Sequence, residues 1–161
     1  MSMQAARDHL AKFGLEGRIR EFSVSSATVE LAAVAVGCEP ARIAKSLSFL
    51  VEEKPILILA AGDAKVDNPR YKARFGTKAK MISADQVEEL IGHGVGGVCP
   101  FGTKPGVTVY LDESLRRFQV VYPAAGTAAS AVELNLAELE KASGASGWVD
   151  VCKGWRPEEQ G

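Results

Sequence analysis

Histidine and cysteine are scarce in this chain, with two of the first and three of the second in 161 residues. Cys38, Cys99 and Cys152 are odd in number and widely spaced, which fits neither a disulfide framework nor the paired spacing of a zinc site. They read as free thiols, and no metal or other cofactor is expected. No stretch approaches the roughly 20 apolar residues of a membrane span. The amino-terminal segment, with Arg7, Asp8, His9 and Lys12, lacks the apolar core of a secretory signal. A cytoplasmic protein without a membrane partner is the expectation. An excess of either charge is missing too: the formal net charge is −1, which argues against coating a polyanion by bulk electrostatics. Also absent are a phosphate loop ending in Gly-Lys-Ser or Gly-Lys-Thr, a paired-histidine zinc helix, a nucleophile elbow around a serine, and a Gly-x-Gly-x-x-Gly turn after the first strand. Nucleotide-fuelled and serine-triad chemistries lose their usual signatures with them.

What is present is one domain's worth of chain, 47% hydrophobic and long enough to bury a continuous core. Residues 1–155 read as a single domain and 156–161 as a loose tail. Charge is segregated along it. Lys65, Arg70, Lys72, Arg74, Lys78 and Lys80 face only Asp67 as an acid within their stretch, while Glu133, Glu138, Glu140, Glu158 and Glu159 load the other end. A solvated helix face and a phosphate-facing surface both fit the basic stretch.

Periodicity gives a helix over Met3 to Phe13, closed by Gly14, then a strand over Arg18 to Val24 and a helix over Thr28 to Val36 that Gly37 and Pro40 end. Ser46 to Val51 and Pro55 to Ala61 read as a hairpin around Glu52, Glu53 and Lys54. Asn68 with Pro69 starts a helix that Gly76 stops, Lys80 to Ile82 is a strand, and Ser83 with Gln86 predicts a capping box for a helix through Leu90. Val107 to Leu111, Phe118 to Tyr122, Ala131 to Leu134 and Trp148 to Val151 read as strands, with a helix over Leu136 to Ala142. Strands that arrive in runs predict an α+β domain on a mixed or largely antiparallel sheet.

Few side chains stand out for chemistry. His9 lies on a predicted surface helix, and His93 sits among glycines that allow a ligand to approach. In an extended chain Lys45 shares a face with Leu47, Phe49 and Val51, while Ser46, Ser48 and Leu50 point the other way. It is either a strand-end lysine that snorkels to water or a cation at the rim of a pocket. The run from Gly92 to Gly102 holds glycines at 92, 94, 96, 97 and 102 around Pro100. Glycines bring bare amides and carbonyls against a ligand, and the flanking Val98, Cys99 and Phe101 would anchor such a segment in the core.

These residues resemble the YbaK-type aminoacyl-tRNA deacylases, relatives of the editing domain of bacterial prolyl-tRNA synthetase. The likeness spans nearly the whole chain. It is carried by Ala44-Lys45-Ser46-Leu47, by Gly96-Gly97-Val98-Cys99-Pro100-Phe101-Gly102, and by Val132-Glu133-Leu134 followed by a helix. The resemblance implies a mixed, barrel-like sheet surrounded by helices, and a metal-independent hydrolase that strips small amino acids from mischarged tRNA. Lys45 would engage the terminal adenosine, and Gly96 would open the loop that holds the aminoacyl group. Phe22, Thr28, Gly97, Val98, Cys99, Pro100 and Ser130 are the candidate lining of the substrate pocket, and Lys65, Arg70, Lys72 and Arg74 the candidate contacts to tRNA. Cysteine-specific members carry an acid where this chain has Ala131, and a tyrosine where Phe22 stands, so alanine, cysteine, serine and threonine all stay open, on tRNA-Pro or a similar tRNA. The implied partners are the tRNA acceptor end and an aminoacyl-tRNA synthetase. The alternatives are a non-catalytic module that binds tRNA or a synthetase, and a hydrolase of small esters or amides.

Overall fold

The structure, a computed structural model, describes residues 2–25 and 28–159. Its strands are β1 (Ile19–Glu21), β2 (Ile43–Val51), β3 (Lys54–Ala61), β4 (Lys65–Val66), β5 (Thr108–Asp112), β6 (Val120–Pro123), β7 (Ser130–Val132), β8 (Leu134–Asn135), β9 (Gly147–Val149) and β10 (Cys152–Lys153). The helices are α1 (Ser2–Ala11), α2 (Val29–Val36), α3 (Asn68–Phe75), α4 (Val87–Ile91) and α5 (Leu136–Ser143).

The β2–β3 hairpin is the axis of a six-stranded mixed sheet ordered β8-β6-β2-β3-β5-β9. It pairs Ala44 with Ala61 through to Val51 with Lys54. Glu52 and Glu53 make its two-residue turn with φ of 51° and 68°, the left-handed geometry whose twist suits adjoining strands. β6 runs parallel to β2, and β5 parallel to β3. Leu57, Ile58, Leu59, Ala60 and Ala61 are wholly buried, because a central strand is covered on both faces and reads as an unbroken apolar run. Two short antiparallel pairs, β1 with β7 and β4 with β10, complete the architecture. The result is the expected mixed α+β domain, its sheet curled into a half-barrel with helices around it.

Helix ends follow local rules. Beyond α1, Gly14 N–H bonds Ala11 O and Leu15 N–H bonds Leu10 O, the pair of bonds that closes a helix through a left-handed glycine. Thr28 Oγ1 accepts from Leu31 N–H to cap α2, and Asn135 with Glu138 forms a reciprocal capping box on α5. The box expected at Ser83 is not made. Ser83 Oγ turns to Gln86 Oε1 instead of a backbone amide, residues 84–86 form a turn, and the helix begins only at Val87.

Expected strands also change, and Arg18 to Val24 pairs only over Ile19–Glu21. Ala131 to Leu134 divides at Glu133, because Val132 pairs with Ile19 in one sheet and Leu134 with Val121 in another. The Glu133 carboxylate meets Arg20 at 2.7 Å. Phe118 closes a 3-10 turn over Glu113–Arg117, beneath the guanidinium groups of Arg42 and Arg117, and delays β6 to Val120. Lys80 to Ile82 contributes only a bridge between Met81 and Phe49. At the expected start of the tail, Arg156 pairs with Asp150 at 2.6 Å and lies over the Trp155 ring; residues 160 and 161 lie outside the described ones. Among the described residues no helix is long and apolar enough to cross a membrane.

Candidate active site

A cleft of about 320 Å³ opens beside the start of β2. One wall is β2, where Ala44, Ser46 and Ser48 alternate toward the cavity. α2 supplies Thr28, Val29 and Ala32, the glycine loop supplies Val95, Gly96 and Val98, and Ala124, Ser130 and Ala131 close the far side. The lining is dominated by alanine, serine and valine, so the cavity suits a small group. Among the described residues no Asp, Glu, His or Cys belongs to it.

Lys45 stands at its edge, half-buried, with Nζ donating to Gly62 O at 3.5 Å. Burial pulls its pKa below that of a free lysine, and the nearby Asp63 carboxylate opposes that pull. Gly62 is required where it is: a Cβ there would overlap the Pro40 carbonyl oxygen and meet Val29 Cγ1 at 2.7 Å. The ammonium therefore leans on a backbone packed directly against Pro40 and Val29.

The glycine loop divides its glycines between several tasks. Gly97 N–H bonds Gly94 O at 3.0 Å to close a turn in which Gly96 takes φ of 87° and Val95 is left 69% exposed. Gly97 abuts the Gly126–Thr127 backbone, so that a Cβ would lie 2.5 Å from the Gly126 carbonyl. Gly102 is pressed against Ala5 in the same way. Behind the loop, His93 Nε2–H donates to Phe101 O at 2.6 Å, and Cys99 Sγ lies 3.5 Å from the same nitrogen. Both residues are fully buried. Burial pushes the Cys99 thiol up to about 12 and the His93 imidazole down, so both are neutral packing groups at pH 7.

The structure thus brings Lys45, Gly96, Thr28, Val98 and Ser130 to one cleft. It leaves Gly97, Cys99 and Pro100 buried behind the loop, and sets Phe22 outside the lining, where its N–H bonds Ala129 O at 2.8 Å. Ser130 offers no spare hydroxyl: its Oγ accepts from Ala125 N–H and Thr127 Oγ1–H and donates to Thr127 O. Ser46 was not singled out from sequence, yet its buried Oγ has no partner and belongs to the cavity wall. The signal was the small-residue alternation Ala44, Ser46, Ser48 in an otherwise bulky strand. Of the basic stretch, Lys65, Lys72 and Arg74 are exposed. Arg70 is held by Asp67 and Asp150.

This cleft lies within a segment that matches a known family: residues 24–142 fit the aminoacyl-tRNA editing domain. The chain belongs to that family. The editing domain is 51% identical to the uncharacterized protein YwhH of Bacillus subtilis, covering 96% of this chain and 99% of that one. It superposes with a TM-score of 0.85 and 30% identity on a candidate trans-editing enzyme for prolyl-tRNA synthetase, over 95% of this chain and 98% of the other. It is also 30% identical to part of the proline–tRNA ligase of Limosilactobacillus fermentum, covering 55% of this chain and 17% of the ligase. The matched stretch is about a sixth of that ligase.

Proposed function

We propose that the chain hydrolyses, in trans, the ester of a tRNA mischarged with a small amino acid of the alanine, cysteine, serine or threonine class, on tRNA-Pro or a similar tRNA. The observation that carries this reading is a cleft walled by alanine and serine, with a cation on one rim and the Gly96 backbone on the other. An aminoacyl ester is already activated, so hydrolysis needs a placed water, a stabilised oxyanion and an oriented ribose more than a strong nucleophile. That need is compatible with a lining that, among the described residues, offers no acid, histidine or thiol.

In the proposed reaction, Lys45 anchors the terminal nucleotide and the Gly96 amide edge holds the aminoacyl carbonyl. Water adds to the carbonyl carbon, the bond to the ribose oxygen breaks, and the water's proton passes to that oxygen with help from the vicinal ribose hydroxyl. No metal is required. One methylene changes pocket binding by only about 1–3 kcal/mol, which is why a separate hydrolytic site is useful to translation. The acceptor end of tRNA is the proposed partner, with a synthetase as companion.

The test charges tRNAs with alanine, cysteine, serine or threonine and follows ester loss with the wild type and Lys45→Ala. At least one ester is expected to disappear well above its spontaneous rate, and the variant to lose about 100-fold through one charge-assisted contact. If every ester decays at its spontaneous rate, the deacylase reading fails. Because the described lining holds no carboxylate, imidazole or thiol to act as a general base, a binding-only module is the competing reading. It predicts tRNA binding without turnover.

A further inference from the structure

Lys45 belongs to two cavities. A second hollow of about 420 Å³ lies on the other face of β2, with Lys45, Leu47, Phe49, Lys65, Asn68 and Met81 in its wall. Strand alternation divides the labour: Ser46 and Ser48 face the first cleft, Leu47 and Phe49 the second, and Lys45 edges both. No carboxylate belongs to the second wall among the described residues. Lys45 and Lys65 therefore border an apolar hollow without an acid in its described wall to neutralise them.

The apolar part of the wall has two kinds of side chain. Phe49 is 1% exposed and fixed against the Tyr71 ring at 5.1 Å, whereas Met81 is 64% exposed and tied to Phe49 through a backbone bridge. The hollow combines a rigid wall with an adaptable one, and a thioether moulds readily to a flat ring. Apolar faces beside lysines are what a nucleobase carrying a phosphate requires. The first cleft is at the lower end of the ~300–1,000 Å³ typical of small-molecule sites. An aminoacyl group there leaves the nucleoside to lie elsewhere, and Lys45 marks the junction.

We infer that the second cavity seats the 3′-terminal nucleotide of the charged tRNA, its base against Leu47 and Met81 and its 5′-phosphate at Lys65. The ester then sits at Lys45, between the two cavities. This assignment rests on the deacylase reading and names where that substrate's nucleotide goes.

The test titrates the full chain with adenosine 5′-monophosphate and, separately, with inorganic phosphate, following the methyl resonances of Met81 and Leu47. In parallel, steady-state deacylation of the most rapidly cleaved charged tRNA is measured for the wild type, Lys65→Ala and Lys12→Ala, the last an exposed lysine outside both cavities. The nucleotide is expected to shift both methyls, and phosphate alone to leave them nearly unmoved. Lys65→Ala should weaken nucleotide binding and raise KM about tenfold, with kcat within about twofold, as loss of one charge-assisted contact predicts. Lys12→Ala should match the wild type. Silent Met81 and Leu47 methyls, shifts confined to Val95 and Val29 of the first cleft, an unchanged KM in Lys65→Ala, or phosphate acting as strongly as the nucleotide would each overturn the assignment. If the nucleotide shifts Met81 but no charged tRNA is cleaved, the deacylase reading fails and the nucleotide site stands.

Discussion

Replacing Gly97 by alanine tests whether a backbone contact shapes the cleft. A Cβ at this position meets the Gly126 carbonyl carbon and oxygen at 2.5 Å and Thr127 N at 2.6 Å. Comfortable carbon contacts begin near about 3.5 Å, so the two segments have to separate by roughly 1 Å. Neither side yields cheaply. Gly97 N–H closes the Gly96 turn through Gly94 O, and the opposite segment is braced by the hydroxyl bonds of Ser130 to Ala125 and Thr127. Overpacking of this kind costs about 1–3 kcal/mol, which for a chain of this size lowers Tm by roughly 2–12 °C. Deacylation suffers more, because the separation carries Gly96 away from Lys45 and Ser46, and a displacement of about 1 Å is worth on the order of 100-fold in rate. Gly94→Ala is the paired control, since its Cβ meets nothing nearer than Glu88 Oε1 at 3.8 Å. Thermal melts and single-turnover deacylation of both variants decide the matter. If Gly97→Ala stays within about twofold of the wild-type rate, or Gly94→Ala falls as far, close backbone approach is not what shapes the site.

Four further outcomes follow from the same geometry. Cys99→Ala should retain deacylation within about threefold, because a buried thiol pushed up to about 12 supplies no thiolate; a loss of several orders would make it a nucleophile. Lys45 is held below the usual lysine pKa chiefly by burial, so rate corrected for spontaneous hydrolysis should fall on the alkaline side before a free lysine would titrate. Lys45→Arg, charged throughout, should flatten that limb if it retains activity, and an alkaline limb that persists in the arginine variant excludes Lys45 as its source. Asn135→Ala removes the α5 capping box and should cost about 1 kcal/mol in a denaturant melt without changing the rate. Reversing the exposed Lys72 and Arg74 to glutamate should weaken tRNA binding and reduce the slope of log K against log salt by about 0.7–0.9 for each lost phosphate contact; an identical slope removes them from the tRNA surface.

Much of the fold was legible wherever the rule is local. Gly14, Gly37 and Gly76 closed their helices as expected, and the apolar run from Pro55 to Ala61 became the doubly covered central strand. What escaped was decided by distant partners. Nothing near Glu133 says that Val132 pairs with Ile19 while Leu134 pairs with Val121. Ser83 carries a cap signature, but Ile82 N–H bonds Ser48 O and a turn intervenes before α4. The site divides along the same line. Lys45 and Gly96 were visible as oddities of their own segments. The wall of Ser46 and Ser48 was not, because a small polar face of a strand reads as solvent-facing until α2 and the glycine loop are folded over it.

The parallel pairing of β6 with β2 and of β5 with β3 has a kinetic meaning. Parallel neighbours cannot form from a tight turn, so the long crossover from β3 to β5, which carries the glycine loop, must be laid down before the cleft has a wall opposite β2. Isolated β2 and β3 would display Lys45 on a bare ribbon with nothing opposite. In refolding, hydrolysis should therefore appear in the last phase, after the hairpin has registered in spectroscopic signals, which makes substrate turnover a sensitive clock for completion of the sheet.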